Sequence, residues 1–334
     1  MPDGPAPDLP GPEAVRRREP DPSRRDLSYP PLPEALRVGV YDNHTHLEIV
    51  PTRSAFPSLR DAKEPAGVGP DGDEGLDWRE QLDRASAVGI RGVVQVGTDV
   101  ETSRWSAATA ATDPRMLAAV SVHPNETPEL TAAGTIDDAL AEIDRLAGLP
   151  RVRAVGETGL DFYRTGEEGR PAQIAAFEAH IAIAKERGLA LQIHDRDAHT
   201  EVVDTLLRVG APDRTVFHCF SGDAGLAKLA TSHGWYLSFA GTVTFKNAEG
   251  LRAALAVAPR SRILVETDAP YLAPVPVRGR PNAPYLVPHT LRAMAAILET
   301  DASMLAAQIA SNTEAVYGSW DDEPPVPSAP PRSA

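Results

Sequence analysis

Cysteine is almost absent from this sequence: Cys219 is the only one among 334 residues. A single thiol cannot form an internal disulfide or a cysteine-based zinc cluster, so the fold has to be stable without either. The chain also lacks an apolar run as long as a membrane span, and its first residues lack the short apolar core of a secretory signal. These absences predict a cytoplasmic protein that does not contact a membrane.

Basic residues are outnumbered in this chain, since 33 Lys and Arg stand against 47 Asp and Glu and give a net charge of −14. This balance argues against a wide basic surface that binds nucleic acid along its whole face, so any contact with nucleic acid has to be local. The sequence also lacks a P-loop, a dinucleotide-binding glycine fingerprint and a nucleophile elbow. The usual sites for nucleotide cofactors and for serine hydrolases are therefore not expected.

Proline and charged residues dominate both ends of the chain, and apolar periodicity is missing there. Segments of this composition cannot bury enough apolar surface to fold, so residues 1–36 and 321–334 are predicted to be disordered tails. Residues 37–320 are predicted to form one domain. Within it, residues 50–77 are rich in proline and glycine and too long for a tight turn, which predicts an insertion beside the first strand.

Eight short apolar runs alternate with helical stretches in this domain, the first helix at Trp78–Ala87 and the last at Ser303–Ala315. Such alternation is typical of repeated βα units and a parallel sheet. Eight units predict an α/β fold that closes into a (β/α)8 TIM barrel. The runs are Val38–Tyr41, Gly92–Val96, Leu117–Val122, Val152–Gly156, Ala190–Ile193, Thr215–Phe217, Trp235–Phe239 and Ile263–Val265.

Polar residues that can bind metal follow five of the eight predicted strands. In a barrel of this kind the loops after the strands build the active site, so these positions converge on one rim. The first strand ends in His44 and His46, whose side chains point the same way because they lie two residues apart on an extended chain. A bare pair of histidines at this spacing is weak support by itself. The candidate ligands are His44, His46, Glu157, His194, His218 and Asp268.

Each candidate ligand also has an ordinary structural interpretation. His194 and His218 are acceptable as hydrogen-bonded core histidines, Glu157 as a residue beside a helix cap, and Asp268 as a turn former before a proline. Independent structural uses would not all fall on the same rim of one barrel. Their coincidence at the C-terminal ends of the strands therefore favours a metal site.

Four imidazoles and two carboxylates provide ligands for two divalent ions, with Glu157 suited to bridge them through its two oxygens. Such mixed ligands suit zinc, manganese or, less comfortably, magnesium. Two ions ~3.5–4 Å apart would lower the pKa of a bridging water and make a metal-activated hydroxide the nucleophile. Asp268 would take the proton of that water and return it to the leaving group, so Glu157 and Asp268 are the predicted catalytic residues. Glu266 and Asp161 are expected behind the ligands, where they orient a ligand side chain.

The motifs that carry these residues resemble the TatD family of metal-dependent deoxyribonucleases, within the amidohydrolase-like barrels. The resemblance covers nearly all of Tyr41 to Tyr317. It implies one ion on His44, His46 and Asp268, a second on His194 and His218, and Glu157 shared between them. The matching motifs are DNHTHL at 42–47, HPNE at 123–126, GETGLDFY at 156–163, QIHDRDA at 192–198, HCFSG at 218–222 and ETDAPYLAP at 266–274.

The resemblance also implies residues that contact substrate. It singles out His123 as a contact to the scissile phosphate, although a turn histidine before Pro124 is an equally simple interpretation. Arg278 and Arg280, in the loop after the last strand, look like contacts to the phosphate backbone. Arg164 and Arg196 are weaker candidates of the same kind. The sequence departs from the family where Ala283 follows Asn282, a position that is commonly acidic.

The function that these features favour is an exonuclease that hydrolyses phosphodiester bonds at single-stranded or frayed DNA ends. No obligate protein partner is expected. The same nucleophile would serve an ester or amide hydrolase, such as a deacylase of mischarged aminoacyl-tRNA, and this alternative stays open. A non-catalytic metal-dependent binding module is disfavoured, because such a module has no use for a complete set of ligands around a water.

Overall fold

The computed structural model describes residues 28–49 and 76–321. The predicted tails before residue 28 and after residue 321, and residues 50–75 of the predicted insertion, lie outside the described residues. In the described part, eight strands form one parallel sheet in the order of the chain. They are β1 Val40–Thr45, β2 Ile90–Val96, β3 Met116–Val120, β4 Val152–Asp161, β5 Ala190–Arg196, β6 Thr215–Phe217, β7 Tyr236–Phe239 and β8 Ile263–Val265.

The sheet comes nearly full circle, because the end of β1 meets the segment after β8. Thr45 and Ala269 form a parallel bridge. The backbone N–H of His46 donates to the Ala269 carbonyl at 2.7 Å, and that of Asp268 donates to the His44 carbonyl at 2.9 Å. The predicted (β/α)8 barrel is confirmed, and these bonds bring the first and last predicted ligands side by side.

Three strands run further than the sequence predicts: β1 ends at Thr45 rather than Tyr41, and β4 and β5 are longer as well. β4 continues to Asp161 and β5 to Arg196, so Glu157 and His194 lie inside strands rather than just after them. The extension is possible because Gly159 pairs with His194 at a φ of 141°, where any Cβ would collide with the His194 carbonyl oxygen. A glycine is the residue that tolerates such a close backbone approach. The strand ladder therefore fixes the positions of both ligands.

Helices follow the strands and cover the outside of the barrel, and their bounds match most of the predicted helical stretches. Two short helices, α3 and α8, are not among the predicted stretches. No helix of the described residues is long and apolar enough to cross a membrane. The helices are α1 Trp78–Ala87, α2 Val100–Ala110, α3 Thr127–Ala133, α4 Ile136–Ala147, α5 Arg170–Arg187, α6 His199–Val209, α7 Ala224–Ser232, α8 Glu249–Val257, α9 Val287–Ile297 and α10 Ala302–Tyr317.

The end of the barrel away from the predicted ligands is closed by the last described residues. Trp320 is buried and stacks on Tyr41 of β1 with 4.1 Å between ring centroids. Its indole N–H donates to the Arg115 carbonyl at 3.1 Å, and Arg151 donates to the Trp320 carbonyl at 2.5 Å. This aromatic plug, Tyr41 with Trp320, fills the starts of the strands and leaves only the opposite end open for chemistry.

Residues 28–36 lie along the barrel, although the sequence assigns them to the N-terminal tail. The guanidinium of Arg280 donates to the carbonyl oxygens of Ser28 at 3.0 Å and Tyr29 at 2.9 Å. The Tyr285 hydroxyl donates to the Pro30 carbonyl at 2.7 Å. Side chains of the loop after β8 thus satisfy this segment's backbone, and the packed chain begins earlier than the predicted boundary at residue 37.

His180 of α5 predicts a pH-dependent stability. The ring is fully buried, donates from Nδ1 to the Ala176 carbonyl at 2.7 Å and accepts from the Val122 N–H at 3.1 Å. Burial lowers its pKa to about 4. Because the unfolded chain takes up this proton near pH 6.5, the free energy of unfolding should fall as the pH drops from about 6.5 to 4.

Urea unfolding at pH 7 and pH 5 checks this expectation. The loss of unfolding free energy between these pH values should be about 2 kcal/mol smaller in His180→Gln than in the unchanged protein. The other histidines titrate in both proteins and cancel in this comparison. An equal loss in both proteins would show that the pKa of the ring is the same in the folded and unfolded states.

Candidate metal centre

The open end of the barrel holds a pocket of about 570 Å³. It lies where the loops after the strands meet, which is the end that carries the active site in barrels of this architecture. Five of the six predicted ligands line it, and the sixth, His44, lies directly beneath with no exposed surface. The residues that line the pocket are His46, Ile49, Thr98, His123, Asn125, Glu126, Glu157, Asp161, Arg164, His194, Asp195, Arg196, His218, Cys219, Ser221, Thr242, Asp268, Tyr271 and Leu272.

One half of the centre is formed by His44, His46, Glu157 and Asp268. The Nε2 atoms of the two histidines lie 3.2 Å apart, and Glu157 Oε2 lies 3.6 Å from the first and 3.7 Å from the second. Asp268 Oδ1 lies 4.0 and 3.6 Å from the same two nitrogens. Two nitrogens on a tetrahedral zinc ion lie ~3.3 Å apart. The ligand atoms of His44, His46 and Glu157 all lie within 4.8 Å of one another, so these three side chains could hold a metal ion.

Hydrogen bonding behind this half supports the same conclusion. His46 donates from Nδ1 to the Val96 carbonyl at 3.0 Å, so its Nε2 keeps a lone pair directed at the centre when the ring is neutral. Carbonyl bonding of this type is the usual support for a metal-binding histidine. Burial alone would lower the pKa of His46, but Asp268, Glu48 and Glu157 raise it to about 9. A cation that enters here displaces a proton.

The other half of the centre is arranged around Glu157 Oε1. His194 Nδ1 lies 2.5 Å and His218 Nε2 lies 2.8 Å from this oxygen, and His123 Nε2 lies 3.4 Å away. The two shorter separations are those of hydrogen bonds rather than of two ligands on one ion. Glu157 thus directs one oxygen at each pair of histidines, which is the arrangement that a shared carboxylate requires.

Charges in the centre favour an ionised Glu157. Burial would raise the pKa of this carboxyl, but His218, His123 and His194 together hold it well below its usual range. The pKa of His218 lies well above its usual value, since Glu157 and Glu266 outweigh the effect of burial. Burial lowers the pKa of His44 and of His123. Burial would lower the pKa of His194 as well, but Glu157 and Asp161 raise it.

Glu266 and Asp161 contact ligand side chains from behind. Glu266 Oε1 lies 3.2 Å from His218 Nδ1 and accepts the Cys219 N–H at 2.7 Å. Asp161 Oδ2 lies 3.3 Å from His194 Nε2 and accepts from the Asn125 amide at 3.1 Å. These contacts place both carboxylates where the sequence expects them, and their effect on a bound ion stays a prediction.

Sequence reasoning missed Asp42, which joins the two ends of the sheet. Its carboxylate is fully buried and accepts from the Thr267 hydroxyl at 2.5 Å, the Thr267 N–H at 2.8 Å and the His44 N–H at 3.3 Å. These bonds hold His44 and Asp268 together. The spacing in the sequence indicates this position, because Asp42 precedes His44 by two residues and so lies on the same face of β1.

Gln95 was missed as well, and no local signal pointed to it. It is a fully buried polar residue in the apolar run of β2. Its Oε1 accepts from the Leu47 N–H at 2.7 Å, and its Nε2 donates to Glu48 Oε2 at 2.5 Å. The amide thereby fixes the turn that follows His46. Only the fold brings these residues together, since they lie 47 and 48 positions apart.

The predicted substrate contacts fall in different places. His123 lines the pocket, and its Nδ1 accepts from the Asn125 N–H at 3.1 Å. Arg278 and Arg280 are not among the lining residues: the guanidinium carbon of Arg278 lies 4.2 Å from the centre of the Phe245 ring, and Arg280 binds Ser28. The predicted substrate role of these two arginines is not supported by their positions, because the loop after β8 directs Arg280 toward the N-terminal segment.

Arg164 and Arg196, the weaker candidates for phosphate contacts, do line the pocket. Arg164 follows β4 and Arg196 ends β5, and both are exposed residues of the pocket wall. The sequence could not rank these arginines, since the direction of a loop side chain depends on contacts far along the chain.

Comparison with known proteins places this barrel in a family. The sequence profile described as "TatD related DNase" matches residues 41–318. A protein named "Uncharacterized metal-dependent hydrolase TatD" from Mycobacterium tuberculosis is 44% identical over 244 residues, which cover 72% of this chain and 90% of that protein. A "3'-5' ssDNA/RNA exonuclease TatD" from Citrobacter rodentium is 34% identical over 248 residues, which cover 72% of this chain and 92% of that protein.

A solved structure shares the fold. The crystal structure of YjjV, a TatD homologue from Escherichia coli K12, superposes with a TM-score of 0.68 at 23% sequence identity and covers 84% of this chain and 98% of that one. The profile match spans most of the chain and both ends of the ligand set. This chain belongs to the TatD family of metal-dependent hydrolases.

Proposed function

We propose that this hydrolase removes nucleotides from single-stranded or frayed DNA ends. The observation that carries the proposal is the pocket itself, a space of about 570 Å³ that is lined by five of the six candidate ligands and by His123. A volume of this size admits a small ligand such as a terminal nucleotide, but not the interior of a duplex. Relatives named as 3'-5' single-stranded DNA and RNA exonucleases support the same substrate class.

The residues that would hold metal are the six candidate ligands, with His44, His46 and Asp268 on one side of Glu157 and His194 and His218 on the other. Two ions, zinc, manganese or magnesium, would make a water more acidic and polarise the phosphoryl oxygen. Glu157 stays ionised beside the imidazoles and holds both halves of the centre together.

His123 is proposed to bind the scissile phosphate as a neutral donor. Its Nδ1 accepts from the Asn125 N–H, so the proton of the neutral ring resides on Nε2, which faces Glu157 Oε1 at 3.4 Å. Burial lowers the pKa of this ring and keeps it neutral. A non-bridging phosphate oxygen can therefore accept a hydrogen bond from Nε2 without taking its proton.

Asp268 is proposed to move the proton in the reaction. Its Oδ1 lies at the edge of the centre, 3.6 Å from His46 Nε2, and the residue lines the pocket. From there the carboxylate can accept a proton from the attacking water and pass it to the leaving oxygen. Arg164, at the mouth, is proposed to receive the phosphate of the adjoining nucleotide, and Arg196 to contact the same nucleotide.

A labelled DNA strand tests this function. The metal-loaded enzyme should shorten a single strand progressively from one end, with a kcat/KM at least about tenfold higher than for a blunt duplex of the same sequence. A chelator should stop the reaction, and added divalent metal should restore it. Aminoacyl-tRNA and a simple amide serve as parallel substrates. Internal nicking, or a higher kcat/KM on either parallel substrate, would contradict the proposal.

A further inference from the structure

Tyr163 is the only exposed aromatic residue in the described ranges. It follows β4, directly before Arg164 of the pocket wall, and 65% of its surface is accessible. The guanidinium carbon of Arg196 lies 4.0 Å from the centre of its ring. Because Arg196 lines the pocket, this cation–π contact places the exposed ring beside the pocket wall. We refer to Tyr163 and Arg196 together as the aromatic ledge.

Two arginines lie on the pocket wall beside its carboxylates, and one of them belongs to the ledge. Arg164 and Arg196 both line the pocket, and neither forms an ion pair with a carboxylate in the part of the chain that the structure describes. Arg115 and Arg187, on the outer helices and loops, do pair with aspartates at 2.6 to 2.7 Å. In a chain of net charge −14, two such guanidiniums at the mouth make a local site for an anion.

The backbone holds the ledge at a fixed distance from the metal centre. Asp161 pairs with Arg196 across β4 and β5, and the Phe162 N–H donates to the Arg196 carbonyl at 2.9 Å. Arg196 follows His194 by two residues on β5 and therefore extends from the same face of the strand, about 7 Å further toward solvent. That step is comparable to the span of one nucleotide in an extended strand.

We propose that the aromatic ledge stacks the base of the nucleotide next to the cleaved one, while Arg164 binds its phosphate. The inference rests on the proposed nuclease function and adds where the strand lies as it leaves the pocket. Aromatic rings and arginine planes stack on any base, so the ledge holds single strands without selecting a sequence. A base that is paired within a duplex cannot stack there, which favours unpaired ends.

Steady-state kinetics with two substrates tests the ledge. Tyr163→Ala should raise the KM for a single-stranded DNA oligonucleotide about tenfold, the size of a lost base–aromatic stack, and change kcat little. Tyr163→Phe, the matched control, keeps the ring and should behave like the unchanged enzyme. Hydrolysis of bis(p-nitrophenyl) phosphate, which has no second nucleotide, should be the same in all three proteins. With an oligonucleotide that has an abasic site at the second position, the KM of Tyr163→Ala should equal that of the unchanged enzyme, because no base is present to stack.

The same kinetic assay tests the contribution of the Arg196 guanidinium. Arg196→Ala should raise the KM for the oligonucleotide, whereas Arg262→Ala should not. Arg262 is the matched control because its guanidinium carbon also lies over an aromatic ring, 4.7 Å from the centre of Tyr236, at the start of β7 and far from the pocket.

Failure of the aromatic ledge and failure of the nuclease function give different results. Cleavage of DNA with an unchanged KM in Tyr163→Ala overturns the ledge and leaves the nuclease function standing. An equal loss on both substrates also overturns it, since it would show a structural role for Tyr163. Failure of the unchanged, metal-loaded enzyme to cleave DNA, together with hydrolysis of the small diester, overturns both the nuclease function and the ledge.

Discussion

Glu157→Gln should lose its metal, and its kcat should fall at least about 1,000-fold. Mutation of a residue that merely supports a ligand already lowers metal affinity or activity about 10- to 100-fold. The substitution keeps the shape of the side chain and removes the charge that five histidines face. Both oxygens of Glu157 face imidazole nitrogens, at 2.5 and 2.8 Å on one side and at 3.6 and 3.7 Å on the other. One neutral amide cannot accept from both sides, since its nitrogen is a donor.

Metal content by mass spectrometry and turnover of both the DNA strand and the small diester measure this effect. Glu142→Gln is the control, because Glu142 on α4 forms surface ion pairs with Arg104 and Arg145. That variant should retain metal and activity. A Glu157→Gln enzyme with full metal content and more than about a tenth of the activity would show that the carboxylate is not the shared ligand.

Asp268→Asn should keep its metal and lose about 100- to 10,000-fold in kcat, with little change in KM. An asparagine oxygen can still ligate an ion, but the amide cannot accept the proton of an attacking water. Asp268 is well placed for both tasks, since its N–H is held by the His44 carbonyl while its carboxylate lines the pocket.

The comparison of metal content with turnover decides the role of Asp268. Retained metal with lost kcat supports proton transfer, whereas metal lost in proportion to activity would show that Asp268 serves only as a ligand. Asp268→Glu provides a second readout, because it restores an acidic group at a shifted position and should recover part of the turnover.

The barrel itself could be predicted from the sequence because its strands are short apolar runs separated by helical stretches. Thr215–Phe217 and Ile263–Val265, for example, have the predicted bounds. A parallel strand that is buried on both faces consists of a continuous apolar run, so a short stretch of sequence is enough to recognise it. The ends of β4 and β5 were predicted too early, because their extension depends on a close contact between Gly159 and His194 that only the paired strands reveal.

The candidate ligands were predictable for a related reason. Strand ends of a barrel converge whatever the intervening sequence, so His44, His194 and Asp268 could be assigned to one rim without knowledge of any distance. Residues of the loops, and residues that support the ligands from behind, could not be predicted from the strand ends. Arg280 turns to Ser28 rather than to the pocket, and Gln95 acts on the turn after His46 through contacts that no local pattern encodes.

The aromatic plug of Tyr41 and Trp320 has a consequence for engineering. It closes the starts of the strands and shares no residue with the pocket at their other ends. Loop libraries at the mouth can therefore be screened for new phosphodiester or ester substrates while the closed end is left unaltered. In a variant that keeps Trp320 as the only one of the four tryptophans, emission from this ring, which stacks on β1, would report the folding of each library member separately from its activity.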